Sequence, residues 1–309
     1  MNTHSHLETI NGAGLVFNAV WLLVCATYLV SWALARNDHM RVSGGACGAF
    51  LAGLVALWIA LGSPLARYHV ELLTAHMVQH LLVMTVGPAL ILLGNPLLIF
   101  GKLVPAHVLG IGKSLSKGSR LRNLWHVVTH PCFCWTGAAA ALFLWHIPKL
   151  FEWALRFPAV HAAQLATFVA SGFFFWWPVI EPWPAERRWP RWSIPLYLFA
   201  ATLPCDILSG YLSFSDRVVY VNYQMSSVHL GMTALEDQQC AAASMWVCVT
   251  VIMLLPAVFI TMKLLSPGSD KVQRDADTRS AYAPEYQPLS GSDVNSAAQV
   301  TQPVGALCK

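Results

Sequence analysis

One nine-residue segment of this sequence carries two histidines and a methionine at the spacing of a single helix face. His76, His80 and Met84 are four residues apart, so a helix would bring two imidazoles and a thioether to the same side. Imidazole and thioether together suit copper, and the thioether favours Cu(I) in particular. Zinc is the alternative ion, because it binds two or three histidines with a carboxylate such as Asp237. Interhelical hydrogen bonding is the structural alternative for such a histidine pair.

The elements that must position these residues are membrane-spanning helices. Hydrophobic residues make up 56% of the 309 positions and charged residues only 11%, and the mean hydropathy is +0.52. An average soluble chain is about one quarter charged. The composition therefore excludes a nucleic-acid-binding protein, a disordered chain and a disulfide-rich secreted module. Segments that stay apolar for about 20 residues predict helices that cross a bilayer, and they do not alternate as barrel strands do.

We predict an all-α integral membrane protein with seven transmembrane helices in one bundle. The predicted spans are residues 15–34, 44–61, 72–93, 132–147, 161–179, 194–211 and 241–264. Pro88 is expected to kink the third span. Residues 1–14 would form a periplasmic N-terminal segment and residues 15–265 the membrane domain. Residues 266–309 are polar and rich in Ser, Pro, Ala and Gln, which predicts a disordered cytoplasmic tail.

The distribution of basic residues predicts the orientation of the bundle. One alternate set of connections, together with the C-terminal segment and Lys263 at the adjoining end of the seventh span, holds 15 of the 19 Lys and Arg residues. Because positive residues concentrate on the cytoplasmic side, the N-terminus is expected outside and the C-terminus in the cytoplasm.

In this orientation, polar and soft side chains from four spans fall at a similar depth near the outer face. They are His76 and His80 in the third span, His146 at the end of the fourth, His161 at the start of the fifth, and Asp237, Gln238 and Met245 in the seventh. Polar groups inside a bilayer are costly and usually face the bundle interior. Their convergence predicts one site that faces the periplasm.

Four segments, in this order, resemble the CtaG-type cytochrome c oxidase assembly factors, a seven-span bacterial family. They are His-Met-Val-Gln-His-Leu-Leu from His76, Trp-His-Ile-Pro from Trp145, Ser-Gly from Ser171 with Phe-Trp-Trp-Pro from Phe175, and Asp-Gln-Gln from Asp237 with Met245-Trp246. The resemblance covers about residues 45–262. It implies a multi-pass protein of the cytoplasmic (inner) membrane that is needed to build haem-copper oxidase by supplying copper. Relatives often carry a second histidine soon after the one in the fifth span, where this chain has Gln164.

We therefore expect a copper-binding metallochaperone in respiratory-chain biogenesis rather than an enzyme. The predicted copper ligands are the core pair His76 and His80, with His146 and Met84. The residues expected to orient imidazoles or to add ligands are Asp237, Gln79, Gln238, His161 and Met245. The expected partners are oxidase subunits, periplasmic copper chaperones and the lipid bilayer, and no nucleic acid.

Two other functions fit a histidine-rich bundle. Two histidines on neighbouring helices can hold a b-type haem, which would absorb near the Soret region. A copper permease would need a polar path to the cytoplasmic side, for which His126 and His130 are the only indication. Two further features stay open from sequence: the role of Asp206, and whether Cys205 and Cys240 form a disulfide.

The predicted orientation can be checked with topology reporters. Reporters fused after Lys113 and after Lys271 are expected on the cytoplasmic side, and a reporter at Ala159 on the periplasmic side, because of the asymmetry of basic residues. Reporter activity on both sides of the membrane measures this directly. A periplasmic reporter after Lys271 would overturn the orientation and the outward-facing site with it.

Overall fold

The computed structural model of this protein describes residues 3–37, 43–63, 65–101, 103, 119–180, 189–223 and 231–266, and every regular element in these ranges is helical. The helices are α1 Thr3–Asn37, α2 Gly44–Leu61, α3 Leu65–Tyr68, α4 Leu73–Leu81, α5 Gly87–Leu93, α6 Pro96–Phe100, α7 Ser119–Val128, α8 Pro131–Trp145, α9 Pro148–Arg156, α10 Pro158–Ile180, α11 Ser193–Ser213 and α12 Ala234–Leu265. A π-helix, Leu82–Val86, joins α4 to α5, and a 3₁₀ turn, Val221–Tyr223, lies between α11 and α12. The chain divides into compact units Met1–Met262 and Lys263–Lys309.

Within the described residues, six stretches are long and apolar enough to cross a membrane. They are Gly14–Asn37, Gly44–Leu61, Leu73–Leu93, Pro158–Ile180, Ser193–Ser213 and Ala234–Leu265. They correspond to six of the seven predicted spans, which confirms an all-helical, multi-pass membrane protein. The fourth predicted span corresponds to Pro131–Trp145, whose 15 residues are fewer than the roughly 20 that a crossing needs. The count of seven and the orientation stay predictions, and the predicted tail after residue 266 lies outside the described residues.

The outward surfaces of the long helices are apolar. On α12, the side chains of Val247, Leu255 and Phe259 are each more than half exposed, and Leu15 and Leu23 are similarly exposed on α1. A soluble protein rarely exposes such continuous apolar faces to water. Contact with lipid removes that cost, so these faces fit a protein embedded in a bilayer.

The main core lies where α4, α8, α10, α11 and α12 meet. Met77, Leu198 and Leu212 are almost completely buried there. Ala241 and Ala242 of α12 have no exposed surface, because their small side chains let this helix approach its neighbours closely. This core surrounds the segment of α4 that carries His76 and His80.

The last helix begins earlier than the sequence predicts. A predicted start at residue 241 would place Asp237 and Gln238 at the helix entrance, but α12 begins at Ala234. Thr233 and Glu236 form a reciprocal capping box: the Glu236 carboxylate accepts from the Thr233 N–H, and the Glu236 N–H donates to the Thr233 hydroxyl. Asp237 and Gln238 are therefore part of the helix and are buried within the bundle.

The third span is interrupted by the π-helix Leu82–Val86. Pro88, at the start of α5, has no N–H to offer the Met84 carbonyl four residues earlier. Gly172 of α10 packs against this point, and a Cβ added there would lie 2.2 Å from the Met84 carbonyl oxygen. The kink expected at Pro88 stays a prediction, and the structure has at this point a π-helix, a feature that is frequent at functional sites.

The close approach at Gly172 predicts that a single methyl group is not tolerated. Gly172→Ala should lower the stability of the folded protein by about 1–3 kcal/mol, because the added carbon collides with backbone atoms that cannot move freely. The matched control is Gly137→Ala in α8, where an added Cβ meets nothing within 4 Å. The measurement is the apparent unfolding temperature of the purified proteins. Equal temperatures for the two variants would contradict the close packing.

Candidate metal centre

Five histidine side chains form one cluster inside the bundle. The histidine cluster consists of His69 before α4, His76 and His80 on α4, His146 after α8 and His161 on α10. Neighbouring ring centroids are 4.2 Å apart for His76–His80, 4.5 Å for His69–His161, 5.9 Å for His69–His76, 6.0 Å for His76–His161 and 6.1 Å for His80–His146. The four histidines that the sequence placed at one depth are therefore brought together.

Five of the ten ring nitrogens of this cluster are buried without a hydrogen-bond partner. Both ring nitrogens of His76 and of His80, and Nε2 of His161, are in this state. The rings of Phe151 and Phe168 pack against His76 and His80, with centroids 4.7 and 4.5 Å away. Buried polar atoms almost always have a partner in folded proteins, so these nitrogen lone pairs are available to bind a ligand.

His146 is held from both sides. Its Nδ1 lies 2.7 Å from the Leu142 carbonyl oxygen, and its backbone carbonyl accepts a hydrogen bond from the Tyr220 hydroxyl. Its Nε2 lies 3.4 Å from the Met77 sulfur. This imidazole therefore has a fixed orientation, in which Nε2 faces the Met77 thioether.

Asp237 binds the beginning of the helix that carries the histidine pair. Its carboxylate accepts hydrogen bonds from the backbone N–H of Leu73 at 2.7 Å and of Thr74 at 3.0 Å, and from the Thr74 hydroxyl at 2.7 Å. Leu72, at the N-cap position of α4, has no side-chain group to do this. A carboxylate is also favoured at the positive end of a helix dipole. Asp237 thus acts on His76 and His80 through the helix and not through a hydrogen bond to a ring.

Gln238 fixes the connection that holds two other histidines. Its side chain accepts from the Val219 N–H and donates to the carbonyls of Leu212 and Arg217. The same connection carries Tyr220, which donates to the His146 carbonyl, and Tyr223, which donates to the His69 carbonyl. Burial, followed by the charge of Asp237, raises the pKa of the Tyr223 phenol, so the phenol stays protonated and remains a donor.

The other two glutamines are buried beside the cluster. Gln79 donates to the Ala60 carbonyl of α2 at 2.8 Å, while its Oε1 has no partner. Gln164 of α10 is completely buried, with neither amide atom partnered. Gln79, predicted to orient an imidazole, thus contacts a neighbouring helix. Gln164 occupies the position where relatives were expected to carry a histidine, and it adds polar atoms near the site.

A cavity of about 80 Å³ adjoins the histidine cluster and is lined by soft side chains. The sulfur-containing residues that line it are Met77, Met84, Met245, Met253 and Cys205, and the histidines are His80 and His146. Two predicted sulfur ligands, Met84 and Met245, therefore lie beside the predicted histidines. Met84 reaches the cavity from the π-helix and not from a regular continuation of α4.

Imidazole and carboxylate groups alone do not complete a metal shell in this arrangement. Among the residues that the structure describes, no three His, Cys, Asp or Glu side chains are placed to hold one ion together. A metal held by the cluster would need its imidazoles to rotate, or sulfur from the methionines as additional ligands. The predicted ligands are gathered in one region but are not preformed as a shell.

Sequence reasoning missed two members of the site. His69 lies in the turn between α3 and α4, outside the predicted third span that begins at residue 72, so no helical spacing indicated it. Met77 lies beside His76 in the same motif but on a different helix face. The prediction rested on the face that carries His76 and His80, so it did not include Met77. Its contact with His146 depends on how α8 packs against α4, which no local pattern reports.

The structure describes the two cysteines and the aspartate whose roles the sequence left open. Cys205 and Cys240 are both free thiols, Cys205 buried and Cys240 exposed, so they form no disulfide here. The Cys205 sulfur lies 3.6 Å from the Ser209 hydroxyl. One oxygen of the Asp206 carboxylate is buried without a hydrogen-bond partner.

The fold and the site together define a class: multi-pass helical membrane proteins with a buried histidine and methionine centre. The sequence profile of the cytochrome c oxidase caa3 assembly factors matches residues 26–266. Since the match covers most of the chain, this protein belongs to the caa3 assembly factor (CtaG) family. The four motifs in the sequence therefore indicated the correct family.

Similar curated proteins occur in mycobacteria. An uncharacterised protein of Mycobacterium bovis and one of Mycobacterium tuberculosis are each 22% identical over 275 residues, covering 87% of this chain and 40% of the relative. An uncharacterised protein of Mycobacterium leprae is 23% identical over 268 residues, covering 83% of this chain and 40% of the relative. This chain thus spans 40% of the length of these relatives. No solved structure matches it.

The contacts of Asp237 predict a local loss of stability when its charge is removed. In Asp237→Asn, one oxygen becomes an amide that cannot accept from the N-terminus of α4, which should cost about 1–3 kcal/mol. Hydrogen exchange of residues 73–81 should become faster, and the apparent unfolding temperature should fall. The control is Asp216→Asn at an exposed position. Unchanged protection of residues 73–81 would contradict the capping role.

Proposed function

We propose that this protein binds copper as cargo at the histidine cluster and contributes that copper to the assembly of a haem-copper cytochrome c oxidase. The observation that carries the proposal is the convergence of imidazoles from several helices, with buried and unpartnered ring nitrogens beside a cavity lined by thioethers. Membership of the caa3 assembly factor family supplies the oxidase context.

The ligand chemistry favours copper over zinc. A zinc site built on His76 and His80 would use a nearby carboxylate, and Asp237 is the candidate. Both carboxylate oxygens of Asp237 already accept hydrogen bonds from the start of α4. Nitrogen from His76 and His80, with sulfur from Met84, is a set that suits copper and especially Cu(I).

The space beside the histidines argues against a haem protein. The cavity measures about 80 Å³, while sites for ligands of drug or cofactor size occupy about 300–1,000 Å³. A single ion fits this space. We therefore propose copper delivery rather than haem binding, and purified protein should have no absorbance in the Soret region.

The proposed direction of transfer follows from the predicted orientation. If the basic connections are cytoplasmic, the histidine cluster faces the periplasm. Periplasmic copper chaperones would then supply the ion and an oxidase subunit would receive it. The role is that of a metallochaperone in the inner membrane, with no reaction catalysed on the cargo.

Copper content and oxidase formation test this proposal together. His76→Ala and His80→Ala should each greatly reduce the copper acquired in the cell, because each removes a nitrogen ligand, and oxidase activity of the membranes should fall in parallel. The measurements are copper per protein after purification, protein yield in the membrane, and cytochrome c oxidase activity in cells that contain only the variant.

The control for this test is His126→Ala in α7, outside the histidine cluster, which should leave copper content and oxidase activity unchanged. A purely structural role predicts a different pattern: lower yield of the His76 and His80 variants, with no copper in the wild type. Wild-type protein that supports oxidase formation and never binds copper would refute the proposal.

A further inference from the structure

Two lone-pair atoms face each other at the edge of the cavity. His146 Nδ1 lies 2.7 Å from the Leu142 carbonyl oxygen, which can only accept a hydrogen bond. Nδ1 therefore carries the ring proton, and Nε2 of the neutral imidazole is left with its lone pair. Nε2 lies 3.4 Å from the Met77 sulfur, which is also an acceptor. No hydrogen is available to join these two atoms.

The separation of Nε2 and the sulfur is a van der Waals contact, and it leaves both lone pairs placed to bind one cation. A proton on Nε2 would make the ring an imidazolium, but His146 is only 6% exposed and its ring neighbours are His80 and Phe151. An unpaired charge is costly in such surroundings. A metal ion instead binds both lone pairs. Bonds of about 2.0 Å to nitrogen and about 2.3 Å to sulfur at a tetrahedral angle hold the two atoms about 3.5 Å apart.

The orientation of His146 is also that of a metal ligand. Histidines that bind metals usually donate their second ring nitrogen to a carbonyl or carboxylate, which fixes the tautomer and the direction of the free nitrogen. The Leu142 carbonyl has this role here. The Tyr220 hydroxyl, bonded to the His146 backbone carbonyl at 3.0 Å, holds the residue in place.

The rest of the cavity determines which ion it suits. Met84, Met245 and Met253 line it together with Met77 and the thiol Cys205, and no carboxylate is among the described residues of its wall. Neutral thioether and imidazole ligands favour a soft ion, and thioethers select Cu(I) over harder ions. A singly charged ion also costs less to bury in a neutral cavity than a divalent one.

We propose that this cavity is a Cu(I)-selective site, with His146 and Met77 as core ligands and with Met84 and Met245 completing the shell. It is distinct from the imidazoles of His69, His76 and His161, which form the outer part of the histidine cluster. The inference rests on the proposed function in taking copper as the natural ion, and it adds His146 and Met77 as the core ligands of a sulfur-lined cavity. His80 lines the cavity and also contacts His76 in the outer part of the histidine cluster.

The test uses the full-length protein purified in detergent and loaded with Cu(I) under anaerobic, reducing conditions. X-ray absorption at the copper edge counts sulfur and nitrogen neighbours, and competition with a chromogenic Cu(I) chelator gives the affinity. Wild-type protein should show sulfur at about 2.3 Å. The double variant Met77→Leu, Met245→Leu preserves side-chain volume. It should show fewer sulfur neighbours than wild type, because only Met84 remains of the proposed sulfur ligands, and bind Cu(I) at least tenfold more weakly.

Two controls separate this site from the proposed function as a whole. Met262→Leu changes a methionine on α12 that is 67% exposed, and it should behave as wild type. His76→Ala, which should lower the copper acquired in the cell, should retain the sulfur-ligated ion when Cu(I) is supplied directly. The sulfur count on wild-type protein needs no variant, so it tests the site even where a variant has a low yield.

The possible failures are distinguishable. Copper bound only through nitrogen, or an unchanged affinity of the double methionine variant, would overturn the cavity site and leave copper binding at the histidine cluster standing. Wild-type protein that takes up no copper, in the cell or when loaded with Cu(I), would overturn both proposals.

Discussion

The buried carboxylate of Asp237 is the interaction on which the site depends. It binds the first two backbone N–H groups of α4, where the local sequence offers no cap, and thereby fixes the helix that carries His76 and His80. The next residue, Gln238, holds the connection whose tyrosines bind the backbones of His69 and His146. Two adjacent residues of α12 thus position four of the five histidines.

Some buried polar groups of the bundle are hydrogen-bonded and others are not. In an apolar bundle every buried polar atom without a partner carries a cost. The carboxylate of Asp237 and the amide of Gln238 are fully used in hydrogen bonds between elements. The ring nitrogens of His76 and His80 are not. The unpartnered imidazoles of His76, His80 and His161 lie in one cluster, which supports the proposed cation site.

The interruption of the third span places sulfur next to these imidazoles. The π-helix shifts the turn that carries Met84, and Gly172 lets α10 pack directly against it. The result is a nitrogen-rich part of the site bordered by a sulfur-rich cavity, with His80 and His146 lining the boundary. This arrangement of imidazoles beside thioethers supports the proposed copper site.

The sequence by itself determined the class of protein, six of the seven spans that it predicted, and the gathering of His76, His80, His146 and His161. The class and the spans follow from composition and span length, which are local properties, while the family was indicated by the resemblance of four ordered motifs. The tertiary structure decided which residues that are distant in sequence come into contact, and where the last helix begins. Asp237 caps a helix that is distant in sequence, Met77 meets His146 across two helices, and α12 starts at a capping box that hydropathy does not detect. Each depends on which helices pack together, and packing arises from the shapes of many side chains at once.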